Sequence, residues 1–370
     1  MTLYLGLMSG TSMDGIDAAL LEIGLSGMRV QGAVARAWPS ALQARLRRAA
    51  EDSEQIGLTE FGQLDTAVAL EFAQAAQQLL DQCQLPAASI RAIGSHGQTV
   101  LHRPRSDSPF TLQIGDPNII AERLGIDVVA DFRRRDIAAG GEGAPLMPAF
   151  HAAAFGVANE SCAVVNIGGI ANVTRLAADG RVTGFDTGPG NCLLDAWARA
   201  HLGKPHDAGG SWAASGSVDG ELLERLLAEP YFARQPPKST GRETFSDAWL
   251  QLAIGSRSPA AADVQATLTE LTAVTIARSV DSPDVAAPHD LYVCGGGAFN
   301  DHLLWRLARA LPRTRVATTA ARGIAPEHVE AAGFAWLAHR YLAGLPGNIP
   351  SVTGAHHGVP LGALYRGRAL

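Results

Sequence analysis

Apolar residues alternate with small or polar ones over residues 3–8 and again over 16–23, with the polar turn SGTSMDG between them. This predicts two strands joined by a hairpin. Helical spacing follows around 42–50 and over 60–82, and a short apolar run at 90–94 leads into SHGQT. TLQIGDP, a helix around 118–124 and a strand at 127–130 running into DFRRRD complete an α/β opening, with Gly and Pro at each change. Residues 138–148, AAGGEGAPLMP, are rich in both. They are expected to divide an N-terminal lobe, 1–145, from a C-terminal lobe, 146–344, with the tail 345–370 completing the first lobe.

The second lobe opens as the first does. CAVVNIGGIANVTRL, residues 162–176, is again strand, small polar turn, strand, which predicts an internal structural repeat although the letters barely match. VTGFDTGPGNCLLDAW predicts a strand to Asp186, a glycine turn and a helix, and LYVCGGGAFNDHLLWRL repeats that plan. In α/β folds ligands gather beyond the carboxyl ends of strands, where helix N-termini offer N–H groups. Four glycine turns at strand ends therefore point to one phosphate-rich ligand.

Composition narrows the function classes. A chain of 370 residues exceeds one ordinary core, so two domains are expected. The net charge of −6, with one short basic run at Arg133 to Arg135, argues against nucleic acid as a partner. Cys83, Cys162, Cys192 and Cys294 are far apart in sequence and signal neither zinc nor a disulfide framework. MTLYLGLMSG has neither the charged region nor the long apolar core of a signal peptide, and no later run reaches membrane-spanning length. A soluble, cytoplasmic protein without a membrane partner is the expectation.

Gly/Ser/Thr turns bind anions through backbone N–H groups, because glycine tolerates positive φ and no side chain blocks the approach. Ser9, Gly10, Thr11 and Ser12 suit this role, and Asp14 and Asp17 beside phosphates are expected to face Mg²⁺ through its waters. A single turn of this kind is more often a plain hairpin with capping hydroxyls. Its recurrence shifts the balance towards a ligand. No G-x-x-x-x-G-K-[ST] is present, and GGGAFN lacks the dinucleotide pattern.

MSGTSMDGID, SHGQT, DFRRRDIAAGGEGAPL, NIGGIAN, FDTGPGN, PYFARQPPKSTGRE, CGGGAFN and VEAAGFAWLA, in that order across nearly the whole chain, resemble the anhydro-N-acetylmuramic acid kinases of the actin, sugar kinase and Hsp70 superfamily. The resemblance implies a two-lobed α/β fold, each lobe a ribonuclease-H-like mixed sheet flanked by helices, with ATP and sugar in the cleft between. It implies ATP and Mg²⁺ as cofactors, a small-molecule anhydro amino sugar as substrate, and a homodimer. Gly10, Thr11, Ser12, Met13, Asp14, Gly15, Ile16 and Asp17 then match the ATP phosphate loop, and Asn166, Gly168 and Gly169 the opposing turn. Gly295, Gly296 and Gly297 match the approach to adenosine, Thr99 and Arg133 sugar-site positions, Asp186 the catalytic base and Glu330 a second catalytic acidic residue.

The chemistry gives those assignments a reason. In the bicyclic sugar, O6 is tied to C1 and carries no proton, so it cannot attack ATP as an alcohol. A carboxylate that deprotonates water lets hydroxide attack C1 while O6 leaves, and O6 then attacks the γ-phosphate. A nucleotide-dependent switch and a conventional sugar kinase are the competing readings, and fold alone does not separate them. Asp186 and Arg133 do, since a switch needs neither a sugar-facing base nor a guanidinium for the lactyl carboxylate. Without the resemblance, Asp186 would be read as a turn or N-cap carboxylate, and Glu330, with Glu327, as the acidic first turn of a helix after Pro326. Lys238 belongs to a Pro-rich loop, a lone His96 ordinarily makes a structural hydrogen bond, and His356 and His357 are assigned nothing. Glu142 stands where the family more usually has Gln, and Gly333 interrupts an alanine-rich helix.

Overall fold

The computed structural model describes residues 1–25, 27–52, 55–236, 238–281 and 287–367. The chain forms two compact units, Met1–Ala154 with His328–Leu370, and Phe155–Glu327. The first unit holds strands β1 (Thr2–Ser9), β2 (Gly15–Gly24), β3 (Gly27–Ala37), β4 (Ile90–Arg103), β5 (Phe110–Ile114) and β6 (Val128–Ala130). The second unit holds β7 (Cys162–Ile167), β8 (Ile170–Leu176), β9 (Val182–Pro189), β10 (Asp290–Cys294) and β11 (Arg315–Thr318), while β12 (Ala363–Tyr365) returns to the first.

In the first unit β1, β2 and β3 form an antiparallel meander, β4 runs parallel to β1, and β6 parallel to β4. In the second, β7, β8 and β9 form the meander, β10 runs parallel to β7, and β11 parallel to β10. Taken in order of appearance, both sheets read 3-2-1-4-5, the ribonuclease-H-like order; β5 pairs with β4 and β12 closes the first sheet on β6. The repeat expected from two glycine hairpins is therefore a repeat of topology.

Strand β3 is absent from the sequence reading, which passes from residue 23 to the helix around 42. Its apolar Met28, Val30 and Val34 do alternate, but it is an edge strand with largely accessible residues, and a register shift at Leu20/Leu21 blurs the period. SHGQT lies inside β4, which runs 14 residues. Register slips there by one residue, Leu7 facing Ser95 but Ser9 facing Gln98, and Gly97 takes φ +74° at the bulge.

Helices cover both faces of the first sheet. Leu5, Leu7 and Ile93 join the core beneath the helix Leu58–Cys83. On the other face Gly6 and Gly94 leave bare backbone for the helix Val329–Leu342. A Cβ on Gly6 would stand 1.8 Å from the Ala331 carbonyl oxygen, and one on Gly94 1.9 Å from that of Phe334. No other residue permits this approach, which seats the helix, with Glu330 in its first turn, directly on β1 and β4. Gly333 serves the same helix: a side chain there would strike Met147.

Candidate active site

In the first unit the hairpin turn between β1 and β2 is held by its carbonyls. The Gly10 oxygen accepts from the Met13 N–H at 3.1 Å and from Gln98 Nε2 at 3.2 Å, and the Met13 oxygen accepts from Gln43 Nε2 at 2.7 Å. Ser9 Oγ lies 2.6 Å from the Gly15 oxygen and 2.7 Å from Gln98 Oε1. With the Gly10, Met13 and Gly15 oxygens engaged, the amides and hydroxyls of Thr11 and Ser12 suit an anion, beside the exposed Asp14 carboxylate. Met13 itself takes φ +55° with its side chain buried. Gln98 is fully buried, aimed at the turn by the bulge at His96 and Gly97. SHGQT is thus the strut beneath SGTSMDG, a role the sequence reading gave to neither Gln98 nor Gln43.

Arg133 stands in the helix Phe132–Ala138, whose first turn follows Asp131 at φ +61°. Its Nε donates to Nε2 of buried His96 at 2.9 Å, and Nη1 donates to the Gly143 oxygen at 2.9 Å. Accepting at Nε2 leaves Nδ1 of His96 as the donor to its own neighbour, the Gly97 oxygen, at 2.8 Å. Burial, then Arg133, holds that imidazole well below its usual pKa, so it is a neutral positioning group. Burial also lowers Arg133 to about 10, against the opposing pull of Glu330 and Asp136, and it remains a cation at neutral pH. Asp136, wholly buried, accepts from the Gly143 N–H, Asn348 Nδ2 and Thr353 Oγ1 at 2.8, 2.7 and 2.8 Å. Asp136 and Arg133 therefore fix the Gly-rich stretch, and Glu142 leaves it to form a two-pronged pair with Arg105.

Glu330, at the head of its helix, feels Arg133 and Asp17; burial raises its pKa, Arg133 lowers it and Asp17 raises it. Asp17, Arg133 and Glu330 are thus electrostatically joined, although Asp17 and Glu330 stand 313 positions apart in sequence. Thr99 Oγ1 accepts from Gln113 Nε2 at 3.2 Å, and among the described residues the buried Gln113 Oε1 has no partner.

In the second unit a polar row crosses three strands: Asn166 faces Asn172, and Asn172 faces Asp186. Their neighbours Val165, Val173 and Phe185 point the other way into the core. A one-residue slip between Ala171/Gly188 and Asn172/Asp186 brings the aspartate into line. Asn172 escaped the sequence reading because only the register reveals it. The carbonyls of Ile167, Gly168 and Gly169 accept from Asn191 Nδ2, the Asn191 N–H, and the N–H groups of Gly190 and Cys192, all within 3.0 Å. The NIGG turn is therefore tied to the start of the helix Cys192–Leu202, whose N-terminal dipole end favours negative charge.

Gly295, at φ +77°, packs so closely on that turn that a Cβ would lie 2.2 Å from Asn166 Oδ1, and one on Gly297 would collide with Ile167. A Cβ on Gly169 would lie 2.8 Å from Nη2 of Arg242, an exposed guanidinium of PPKSTGRE not singled out from sequence. Asp186 is only partly accessible. Its Oδ2 accepts from the Thr240 N–H at 3.0 Å, its own N–H donates to the Lys238 oxygen at 3.3 Å, and its carbonyl accepts from Tyr231 Oη at 2.7 Å. Burial lifts the carboxyl to about 6, with the Thr240 N–H pulling the other way. A carboxylate poised near neutrality suits a general base.

Two mixed sheets in the same ribonuclease-H-like order, each opening on a glycine hairpin, define an α/β protein of two topologically repeated units. The family model described as anhydro-N-acetylmuramic acid kinase matches residues 2–367, and the chain belongs to that family of kinases. An anhydro-N-acetylmuramic acid kinase of Xanthomonas campestris pv. campestris is 52% identical over 366 residues, covering 98% of this chain and 97% of the relative. One from Saccharophagus degradans is 48% identical over 369 residues, covering 98% and 99%. Among solved structures, a ROK family glucokinase from Streptomyces griseus in complex with glucose and AMPPNP is 14% identical, covers 91% of this chain and 99% of its own, and superposes with a TM-score of 0.41. No helix among the described residues is long and apolar enough to cross a membrane.

Proposed function

We propose that this protein is an ATP-dependent kinase that hydrolytically opens 1,6-anhydro-N-acetylmuramic acid and phosphorylates O6, giving N-acetylmuramic acid 6-phosphate and ADP. The observation that carries the reading is Asp186, a carboxyl raised to about 6 in line with Asn172 and Asn166. In its ionised form Asp186 takes a proton from water, and the resulting hydroxide bonds to C1 as the C1–O6 bond breaks. The electron pair stays on O6, which attacks the γ-phosphorus of ATP while the bond to ADP breaks. Asn172 is positioned to orient the water or the sugar. Arg133, fixed by His96 and Gly143, suits the lactyl carboxylate, and Thr99 with Gln113 suits a sugar hydroxyl or the acetamido group. Glu330, coupled electrostatically to Arg133, suits a second acidic role on the sugar side.

The two tied-back turns, Gly10 to Asp17 and Asn166 to Gly169, suit the ATP phosphates, with Arg242 beside the second and Gly295 to Gly297 suited to adenosine. Among the described residues no group of three or more His, Cys, Asp or Glu stands ready to hold a metal by itself. Mg²⁺ arriving on phosphates needs only one or two carboxylates, and exposed Asp14 with half-buried Asp17 fits that need. Held by Asp14 and Asp17, such an ion would supply charge neutralisation to the ATP phosphates. A homodimer in the cytoplasm, acting in peptidoglycan recycling, completes the proposal.

Turnover of anhydro-N-acetylmuramic acid with MgATP in ¹⁸O-labelled water tests it. One label at C1 of the 6-phosphosugar is expected, after correction for anomeric exchange. Phosphorylation without label at C1 points to a conventional sugar kinase, and ATP binding with no sugar turnover to a switch. Gln98→Leu is expected to keep the fold while raising the KM for ATP by roughly tenfold, since the Gly10 carbonyl loses its buried donor. Steady-state kinetics beside a melting curve checks this.

A further inference from the structure

A cavity of about 190 Å³ in the second unit lies against Phe185 and Thr187, the residues flanking Asp186 on β9, and against the last turns of the helix Ala261–Val280. Arg175, Arg234, Lys238 and Arg278 all line it, and among the described residues no Asp or Glu does. In a chain of net charge −6 this is a concentration of one sign that the proposed reaction does not use. Arg175 is anchored, its Nε donating to the Ser279 carbonyl and its guanidinium 5.4 Å from the centre of the Phe185 ring. Lys238 Nζ stands 4.9 Å from the Tyr231 ring centre, and Arg234 lies 5.8 Å from the same ring. Among the described residues Arg234, Lys238 and Arg278 make no ion pair with a carboxylate.

The faces of nearby aromatic rings compensate part of a cation's desolvation. They do not offset the mutual repulsion of neighbouring cations. The crowding is felt: burial and then Arg234 lower the pKa of Lys238. Planar guanidinium forks and a compact ammonium around one space are the donors that recognise tetrahedral oxyanions. The volume falls below the roughly 300 Å³ at which pockets for larger ligands begin.

We infer that this cavity binds a phosphate-type oxyanion, either free phosphate or the phosphate group of a small phosphomonoester, at a site separate from the ATP phosphate turns. The inference goes beyond the proposed reaction, and its test needs no turnover. Inorganic phosphate and N-acetylglucosamine 6-phosphate are titrated calorimetrically into the full chain, against potassium chloride at matched ionic strength. The same titrations use the double variant Arg234→Ala/Arg278→Ala, whose two side chains are exposed and absent from the proposed chemistry. Saturable one-to-one binding to the unaltered protein is expected, weakened by about tenfold or more in the variant, with ATP-analogue affinity and melting temperature unchanged. Tighter binding of the sugar ester than of phosphate identifies the monoester as the occupant, and the reverse identifies free phosphate. Equal binding in the variant assigns the anion to the ATP phosphate turns and overturns the inference, as does binding no stronger than that of chloride.

Discussion

Asp186→Asn is expected to lower turnover by about 10²- to 10⁴-fold while leaving affinity for a non-hydrolysable ATP analogue unchanged. The amide preserves the shape of the carboxyl and can still accept from the Thr240 N–H, so what is lost is the capacity to take a proton. In the unaltered enzyme the base must be ionised. Because burial lifts its pKa to about 6, kcat/KM is expected to fall as pH drops through about 6, whereas an ordinary carboxylate would sustain activity to about 4. That acidic limb should disappear from the residual activity of the variant. Stability moves in the opposite direction. A carboxyl whose folded pKa exceeds its unfolded value contributes stability only while protonated; that contribution is complete below about 4 and is lost as pH rises through about 6. At neutral pH the folded protein carries the strain of a half-buried charge, which Asn removes, so the melting temperature is expected to rise as turnover falls. Unaltered turnover would take Asp186 out of the mechanism.

The parts of this site legible in the sequence are those written as local pattern. Glycine turns following apolar runs marked the strand ends, and the hydroxyls and carboxylates of residues 9–17 marked the first turn as more than a hairpin. What could not be read locally was how the turns are held. Gln98 reaches Gly10 across 88 positions, and it does so because a bulge at Gly97 shifts its register on β4. Gln43 reaches Met13 from a helix that periodicity predicted, yet its polarity looked like ordinary solvent exposure. Asn172 is one asparagine in an alternating strand until pairing sets it between Asn166 and Asp186. Arg242 stood within a quoted motif, but its nearness to Gly169 depends on the path of a loop. The sequence readings of Asp186 as a turn carboxylate and His96 as a structural hydrogen-bonding group each described a real interaction. His96 has the structural role outright, and Asp186 combines its backbone contacts with a pKa that an ordinary capping aspartate would not have.

Two glycine-to-alanine substitutions, alike on paper, are expected to move stability in opposite directions. Gly62 lies inside the helix Leu58–Cys83 with open space where its Cβ would be. Alanine there restricts the unfolded chain and favours the helix, so Gly62→Ala should stabilise the protein by about 0.5–1 kcal/mol. At Gly94 the added carbon would sit 1.9 Å from the Phe334 carbonyl oxygen and 2.6 Å from its carbon, both backbone atoms that no rotamer change can move. The helix Val329–Leu342 must lift from β4, and a well-packed face that is forced apart in this way loses about 3 kcal/mol or more. Urea unfolding of both variants beside the unaltered protein measures the difference in sign. Because Glu330 rides on the first turn of the same helix, Gly94→Ala is also expected to weaken sugar turnover under conditions where the variant is still folded, while Gly62→Ala leaves it intact. If the two variants unfold alike, the close seating of that helix on Gly6 and Gly94 is not what fixes this face of the sheet, and the placement of Glu330 beside Arg133 loses its structural cause.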